Sequence, residues 1–305
     1  MKFSIIIPNY NGEKLLAENL PKVIKTCEKR NKKDWEIIVV DDCSSDNSIF
    51  FLKDNYSQVK IVINKKNKGF AFSCNRGVKM ARGEIVILLN SDVVPEQNFI
   101  KPLLPYFAKK DTFSVSCLEK VKQRNIISLH GRGKGILSKG FFLHQKYPEY
   151  KQAGYSLWAV GGASAFNKKI WLEIGGYDLI FSPFYWEDVD LGFCGWLKGY
   201  KTYFEPKSIV WHNHEEGTIK TYYQQSFIES INYKNQFLFY WKYFLQGKYL
   251  FWHLFWLPYH FITSLLNKKW SFFKGFILAL KSFKYLKRTK PDITAIDISE
   301  IFKPK

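Results

Sequence analysis

Short apolar runs alternate with amphipathic stretches through the first hundred residues. Residues 3–7, 36–40, 60–63 and 84–89 are β-branched, closed by turn residues, and read as buried strands. Between them, residues 13–30, 45–55 and 70–81 read as helices. Strand–helix alternation of this kind predicts a parallel sheet covered by helices on both faces. In such sheets ligands sit at the carboxyl ends of the strands. Polar residues collect there: Pro8-Asn9-Tyr10-Asn11 after the first run, Asp41-Asp42 after the second, Asn90-Ser91-Asp92 after the fourth.

The pattern breaks over residues 119–157, which are basic, carry Gly131, Gly133, Gly135 and Gly140, and support no assignment. A strand-like stretch at 158–166, a Gly175-Gly176-Tyr177-Asp178 turn and a helix at about 186–197 follow. A last strand, residues 201–211, runs into His212-Asn213-His214. The composition then changes: between Glu229 and Asp292 there is no acidic residue, only lysines, an arginine and many aromatics such as Trp241, Trp252, Trp256 and Trp270. A boundary is expected near residue 225, between an α/β domain (1–225) and a basic, aromatic-rich helical region (226–305).

The chain has 305 residues, 46% of them apolar, which supplies a core easily. The net charge of +19 calls for an anionic partner: nucleic acid, anionic lipid or a phosphorylated substrate. Residues 237–244 and 270–283 mix aromatics with lysine at helix-like intervals, and 250–266 between them is aromatic and aliphatic, as in helices lying in a membrane interface. Residues 249–267 carry no charge and are long enough to span, but His253, Pro258 and His260 argue for shallow insertion. An anionic membrane surface against residues 231–290 is therefore expected, and nucleic acid is not, given the aliphatic and aromatic bulk. Five scattered cysteines suggest thiols in a reducing compartment. Residues 3–7 are too short for a targeting segment and are stopped by Pro8, so a cytosolic start is expected. Gly131, Gly133 and Gly135 do not combine a preceding strand with the opening of a helix, so a dinucleotide fingerprint is not expected.

Carboxylates at neighbouring strand ends converge on one crevice, where they hold a hard cation and a ribose or base edge. Each alone can equally cap the helix or turn that follows. At this point the sequence resembles a family 2 glycosyltransferase of the GT-A fold, in the rhamnosyltransferase-like branch. The matching pieces, in order, are Ser4-Ile5-Ile6-Ile7-Pro8-Asn9-Tyr10-Asn11-Gly12 and Val39-Val40-Asp41-Asp42-Cys43-Ser44-Ser45-Asp46. Then come Asn67-Lys68-Gly69-Phe70, Asn75-Arg76-Gly77 and Leu88-Leu89-Asn90-Ser91-Asp92. Gly161-Gly162-Ala163, Gly175-Gly176-Tyr177-Asp178 and Trp186-Glu187-Asp188-Val189-Asp190-Leu191 complete the set.

The resemblance implies a Rossmann-like mixed sheet and a nucleotide-sugar site. It implies that Pro8, Asn9, Tyr10 and Asp41 contact the nucleoside, with the loop holding Gly69 and Asn75 near the diphosphate. Asn90, Ser91 and Asp92 match the metal-binding triplet, with Asn where the family's first Asp stands. Asp92 and a histidine after the last strand, His212 or less well His214, would bind a divalent cation, Mg2+ or Mn2+. Asp188 is the implied catalytic base, with Glu187 or burial restoring the basicity that the helix N-terminus lowers. The implied reaction is inverting transfer from a nucleotide-diphosphate sugar, dTDP-rhamnose or a UDP-sugar, to a lipid-linked or cell-surface glycan. A polyprenyl-phosphate acceptor and a non-catalytic membrane-binding protein of the same fold are the alternatives. The expected location is cytoplasmic, peripheral on the inner face of the cell membrane.

Overall fold

The computed structural model describes residues 2–28, 30–123, 126–212 and 222–287. His214 and residues 288–305 lie outside the described residues. Strands β1 (Phe3–Asn9), β2 (Trp35–Asp41), β3 (Val59–Ile63) and β4 (Ile85–Leu89) are parallel, in the order β4-β1-β2-β3. Helices α1 (Glu13–Glu28), α2 (Ser48–Asn55) and α3 (Phe70–Met80) connect them. Alternate residues of one strand feed opposite cores. Ile5, Ile7, Val39 and Ile87 pack with Leu16 and Leu20 of α1, while Ile6, Ile38, Val40 and Val86 pack with Cys74 and Val78 of α3. Burial on both faces is why β1, β2 and β4 are apolar runs without alternation, whereas β3 at the sheet edge is only partly covered.

The chain continues through β5 (Val93–Pro95), α4 (Ile100–Leu103) and the long β6 (Thr112–Gln123), which pairs with β7 (Ile126–His130). Strands β8 (Gly133–Ser138) and β9 (Phe141–Lys146) form a separate hairpin. Then follow β10 (Gly154–Tyr155), β11 (Ala163–Asn167), α5 (Lys168–Ile174), α6 (Glu187–Leu197) and β12 (Lys201–His212). The full order is β10-β12-β6-β11-β4-β1-β2-β3; β11 is antiparallel to both β4 and β6, which makes the sheet mixed.

Two departures from the sequence pattern have packing causes. The strand expected at 158–166 begins only at Ala163, because residues before it run beneath α6. A Cβ at Gly192 would lie 2.6 Å from the Leu157 carbonyl oxygen and from the Trp158 Cα. The unassigned stretch 119–157 holds the end of β6, all of β7 and the β8–β9 hairpin. Two of its glycines are seats for rings: a Cβ on Gly133 would fall 2.2 Å from the Trp158 indole, and one on Gly135 would fall 2.3 Å from the Phe142 ring.

Helices α7 (Gln225–Tyr243), α8 (Gly247–Leu266) and α9 (Trp270–Ser282) end the described chain. Phe237, Phe239, Tyr240 and Tyr243 of α7 share one core with Phe142 of the hairpin and with Trp186 and Phe193 at α6. Helix α8 is inverted: it buries His253 and Ser264 and exposes Phe251, Trp252, Leu254, Phe255, Ile262, Leu265 and Leu266. The buried imidazole is fully used, with Nδ1 donating to the Gly140 carbonyl at 2.7 Å and Nε2 accepting from Trp241 Nε1 at 3.1 Å. Among the described residues no helix is long and apolar enough to cross a membrane.

Candidate active site

The carboxyl ends of β1, β2 and β4 and the last residue of β12 meet on one edge of the sheet. Asp41 is fully buried and holds two loops together. Its Oδ1 accepts from Asn9 Nδ2 at 2.9 Å and from Ser44 Oγ at 2.6 Å, and its Oδ2 accepts from the Ser44 N–H at 2.9 Å. Asn9 Oδ1 is left buried with no hydrogen-bond partner. Pro8 and Tyr10 flank it half-buried, and the Tyr10 ring leans on Tyr222 with centroids 5.8 Å apart.

Asp42, for which the sequence suggested no role of its own, turns the other way. It accepts from the backbone N–H groups of Lys68 and Gly69 (2.7 Å for the latter) and from Asn64 Nδ2 at 2.7 Å. The basic loop is thereby pinned, with Lys65, Lys66 and Lys68 exposed around it. Gly69 has φ +83° and contributes its N–H to Asp42. Asn75, on α3, is engaged with the segment before α6. Its amide clasps the Tyr177 main chain, accepting from the N–H at 2.9 Å and donating to the carbonyl at 2.8 Å.

After β4, Ser91 uses its carbonyl to accept from Asn19 Nδ2, and Asn90 Oδ1 is buried without a partner. Asp92 Oδ1 lies 3.2 Å from His212 Nε2, and His212 Nδ1 lies 3.5 Å from Glu119 Oε1. Burial works against charge on this imidazole, but the two carboxylates outweigh it and push it up to about 10. Neighbouring ligands of an octahedral ion at about 2.1 Å stand ~3.0 Å apart. The Asp92–His212 spacing and the orphaned Asn90 oxygen fit such an ion. Among the described residues no group of three or more acidic, His or Cys side chains could hold one alone. The remaining positions would fall to diphosphate oxygens and water.

The strand ends are tied to the helix that carries the acidic pair. The Asn90 N–H donates to the Gly162 carbonyl at 2.9 Å, and the adjacent Gly161 N–H donates to Asp188. A Cβ at Gly162 would stand 2.6 Å from Asn90 Nδ2, so only glycine brings the two segments this close. Asp188 also accepts from the Val189 N–H at 2.8 Å. Burial raises it to about 6 against these bonds, and burial together with Asp188 raises Glu187 to about 8. Two carboxyls so close titrate as a pair that retains a proton near neutrality. Glu187 is buried on the α3 side, where its charge is felt by Cys74.

The approach to this pair is shaped by α7. Tyr185 and Trp186 both have positive φ (68° and 75°), a strain of about 1–3 kcal/mol per residue. Asn235, fully buried, reaches the carbonyls of Phe181, Phe184 and Tyr185 within 3.0 Å, and Asn232 accepts from Trp186 Nε1 at 2.7 Å. Lys242 lies 2.8 Å from Asp178 and 2.9 Å from both oxygens of Asp190, one of which also accepts from Tyr243 Oη at 2.8 Å. Sequence reasoning named Asp42 only alongside Asp41, and Glu119, Asn235 and Lys242 not at all. The first was hidden by its neighbour, the second lay in the unassigned stretch, and the last two sat in a region read for membrane contact.

Known proteins resemble this chain in sequence and fold. Residues 4–170 match a family model described as Glycosyl transferase family 2. A glycosyltransferase of Streptococcus pneumoniae, GlyG, is 32% identical over 113 residues, covering 35% of this chain and 36% of that protein. The UDP-Glc:α-D-GlcNAc-diphosphoundecaprenol β-1,3-glucosyltransferase of Escherichia coli is 30% identical over 126 residues, covering 41% of this chain and 48% of that protein. The chain thus spans less than half the length of either. The crystal structure of GalNAc-T7 with UDP, GalNAc and Mn2+ superposes with a TM-score of 0.64 at 22% identity, over 80% of this chain and 48% of that one. The likeness is one of fold, the GT-A arrangement. With the family's pattern running through more than half of its length, the chain belongs to glycosyl transferase family 2.

Proposed function

We propose that the chain is an inverting, metal-dependent glycosyltransferase that acts at a membrane surface on a lipid-linked or cell-surface glycan. The observation that carries the reading is the bridge Asn90–Gly162–Gly161–Asp188, which joins the strand end that would hold a cation to a buried carboxylate of raised pKa. In the proposed step the acceptor oxygen attacks the anomeric carbon opposite the diphosphate. Its proton passes to Asp188, and the carbon–oxygen bond to phosphate breaks with the electron pair leaving on the nucleoside diphosphate. Pro8, Asn9, Tyr10 and Asp41 would frame the nucleoside, with Gly69, Asn90 and Ser91 lining the path to the sugar. Asp92 and His212 would hold Mg2+ or Mn2+, which, when bound, offsets charge on the leaving diphosphate.

A UDP-sugar donor is favoured over dTDP-rhamnose, since the Escherichia coli relative is named for UDP-Glc and the GalNAc-T7 structure holds UDP and Mn2+. The diphosphoundecaprenol-linked acceptor in that relative's name supports a lipid-linked acceptor here. The outward apolar face of α8, beside exposed Lys248, Lys268, Lys269 and Lys274, supports residues 226–305 as the region that rests on an anionic leaflet, with the domain 1–225 above it. That reading makes the enzyme peripheral on the inner membrane face.

The test is transfer of labelled sugar from UDP- and dTDP-sugars, with Mn2+, to polyprenyl-diphosphate-linked glycans and to polyprenyl phosphate. The expected product is an O-glycoside of inverted configuration by NMR, lost in Asp188→Asn. A sugar phosphate ester would instead favour the polyprenyl-phosphate alternative. No product with any donor, from folded protein, would reject the catalytic reading in favour of a non-catalytic membrane-binding protein.

A further inference from the structure

We propose that Glu119 is a positioning residue for the cation site, holding the His212 ring so that Nε2 faces Asp92. The inference rests on the metal-dependent reading above. Strands β6 and β12 are parallel neighbours with Val210 opposite Glu119, so Glu119 lies one pleat behind the β12 terminus that carries His212. Its neighbour Lys120 points to the other face, where it pairs with Glu96 at 3.3 Å. Glu119 is only 5% exposed, and its ion-pair partner among the described residues is His212 rather than a lysine or arginine.

An imidazole binds an ion through one nitrogen only when the other carries the proton. A carboxylate at that second nitrogen selects the tautomer, stops ring rotation and raises ligand basicity. His212 stands between two carboxylates, with Nε2 on the Asp92 side at 3.2 Å and Nδ1 on the Glu119 side at 3.5 Å. At 3.5 Å the second contact is longer than an ordinary N–H···O bond and acts through charge. It aims the ring without locking it until something engages Nε2. A carboxylate kept only to neutralise a buried histidine would not need this division between the two nitrogens, since Asp92 alone supplies the charge.

The experiment is Mn2+ titration of the full chain with UDP present, followed by the loss of the free-Mn2+ EPR signal. Electron spin-echo modulation from an imidazole nitrogen serves as the second readout. Wild type, Glu119→Gln and Glu119→Ala are compared. The expected result is 10–100-fold weaker Mn2+ binding in Glu119→Ala, with the nitrogen modulation diminished. Glu119→Gln, which keeps an acceptor for Nδ1–H, is expected to fall between. If Glu119→Ala does not fold, the isosteric Glu119→Gln decides on its own. Mn2+ affinity and modulation equal to wild type in the folded variants would overturn the proposal while leaving the metal-dependent reading intact. Absence of Mn2+ binding in wild type would remove both.

Discussion

At the scale of single residues, the acidic pair opening α6 sets the pH behaviour. Asp188, raised to about 6, must be ionised to take a proton, so kcat/KM is expected to climb as pH rises through about 6. Asp188→Asn should lower kcat by about 10²–10⁴ with little change in KM, measured by nucleoside-diphosphate release. Glu187 has a linked stability effect. Its folded pKa lies above its unfolded value, so the native state binds more protons, and stability falls as pH rises from its ordinary range through about 8. Glu187→Gln should therefore raise the denaturation midpoint more at pH 8 than at pH 5; an equal effect at both would contradict the burial of its charge. Asp92 was reached through the resemblance of Leu88–Asp92 to the family's triplet, and His212 because it follows an apolar run; the structure sets the two 3.2 Å apart. Asp41 and Asp42 were not separable, since adjacent residues at a strand end face opposite ways and only the folded partners, Asn9 and Ser44 against Lys68 and Gly69, distinguish them.

At the scale of elements, the parallel strands were readable because burial on both faces writes an unbroken apolar run. The β8–β9 hairpin was not. Its glycines answer to Trp158 and Phe142, residues that periodicity cannot connect to them. Gly133→Ala is expected to lower stability by about 1–3 kcal/mol through overpacking against Trp158. Helix α7 has a comparable hidden role, because its polar residues face inward to the loop before α6. Lys242 keeps its charge there: burial opposes it, but Asp190 and Asp178 outweigh burial and raise its pKa. Lys242→Ala leaves Asp190 buried without its cation and should cost about 3–5 kcal/mol in chemical denaturation. A loss below 1 kcal/mol would mean that the cluster is wetter than the structure indicates.

At the scale of the whole molecule, a net charge of +19 and an inverted helix point the same way. Composition signalled a change near residue 225, yet it could not reveal that Phe237, Phe239 and Tyr243 beyond that point share a core with Trp186 and Phe193. The apolar face left outside belongs chiefly to α8 and to Trp270 and Ile277 of α9. Binding to vesicles containing phosphatidylserine should weaken steeply with salt. It should also weaken at least tenfold when Trp252, Phe255 and Leu265 are all changed to Ser, each buried apolar side chain being worth about 1.5–3 kcal/mol. A concentration-dependent dimer that the same changes dissolve, with no vesicle binding, would assign the face to a second copy instead.

The central claim, a cation-dependent nucleotide-sugar site at the carboxyl ends of β1, β2 and β4, is tested most directly by calorimetric titration. UDP-, dTDP- and GDP-sugars are added to wild type and to Asp92→Ala, each with and without Mn2+. One nucleotide class is expected to bind, only with Mn2+ present, and Asp92→Ala is expected to lose at least tenfold in affinity. Binding indifferent to both Mn2+ and Asp92, or no binding by folded wild type, would contradict it.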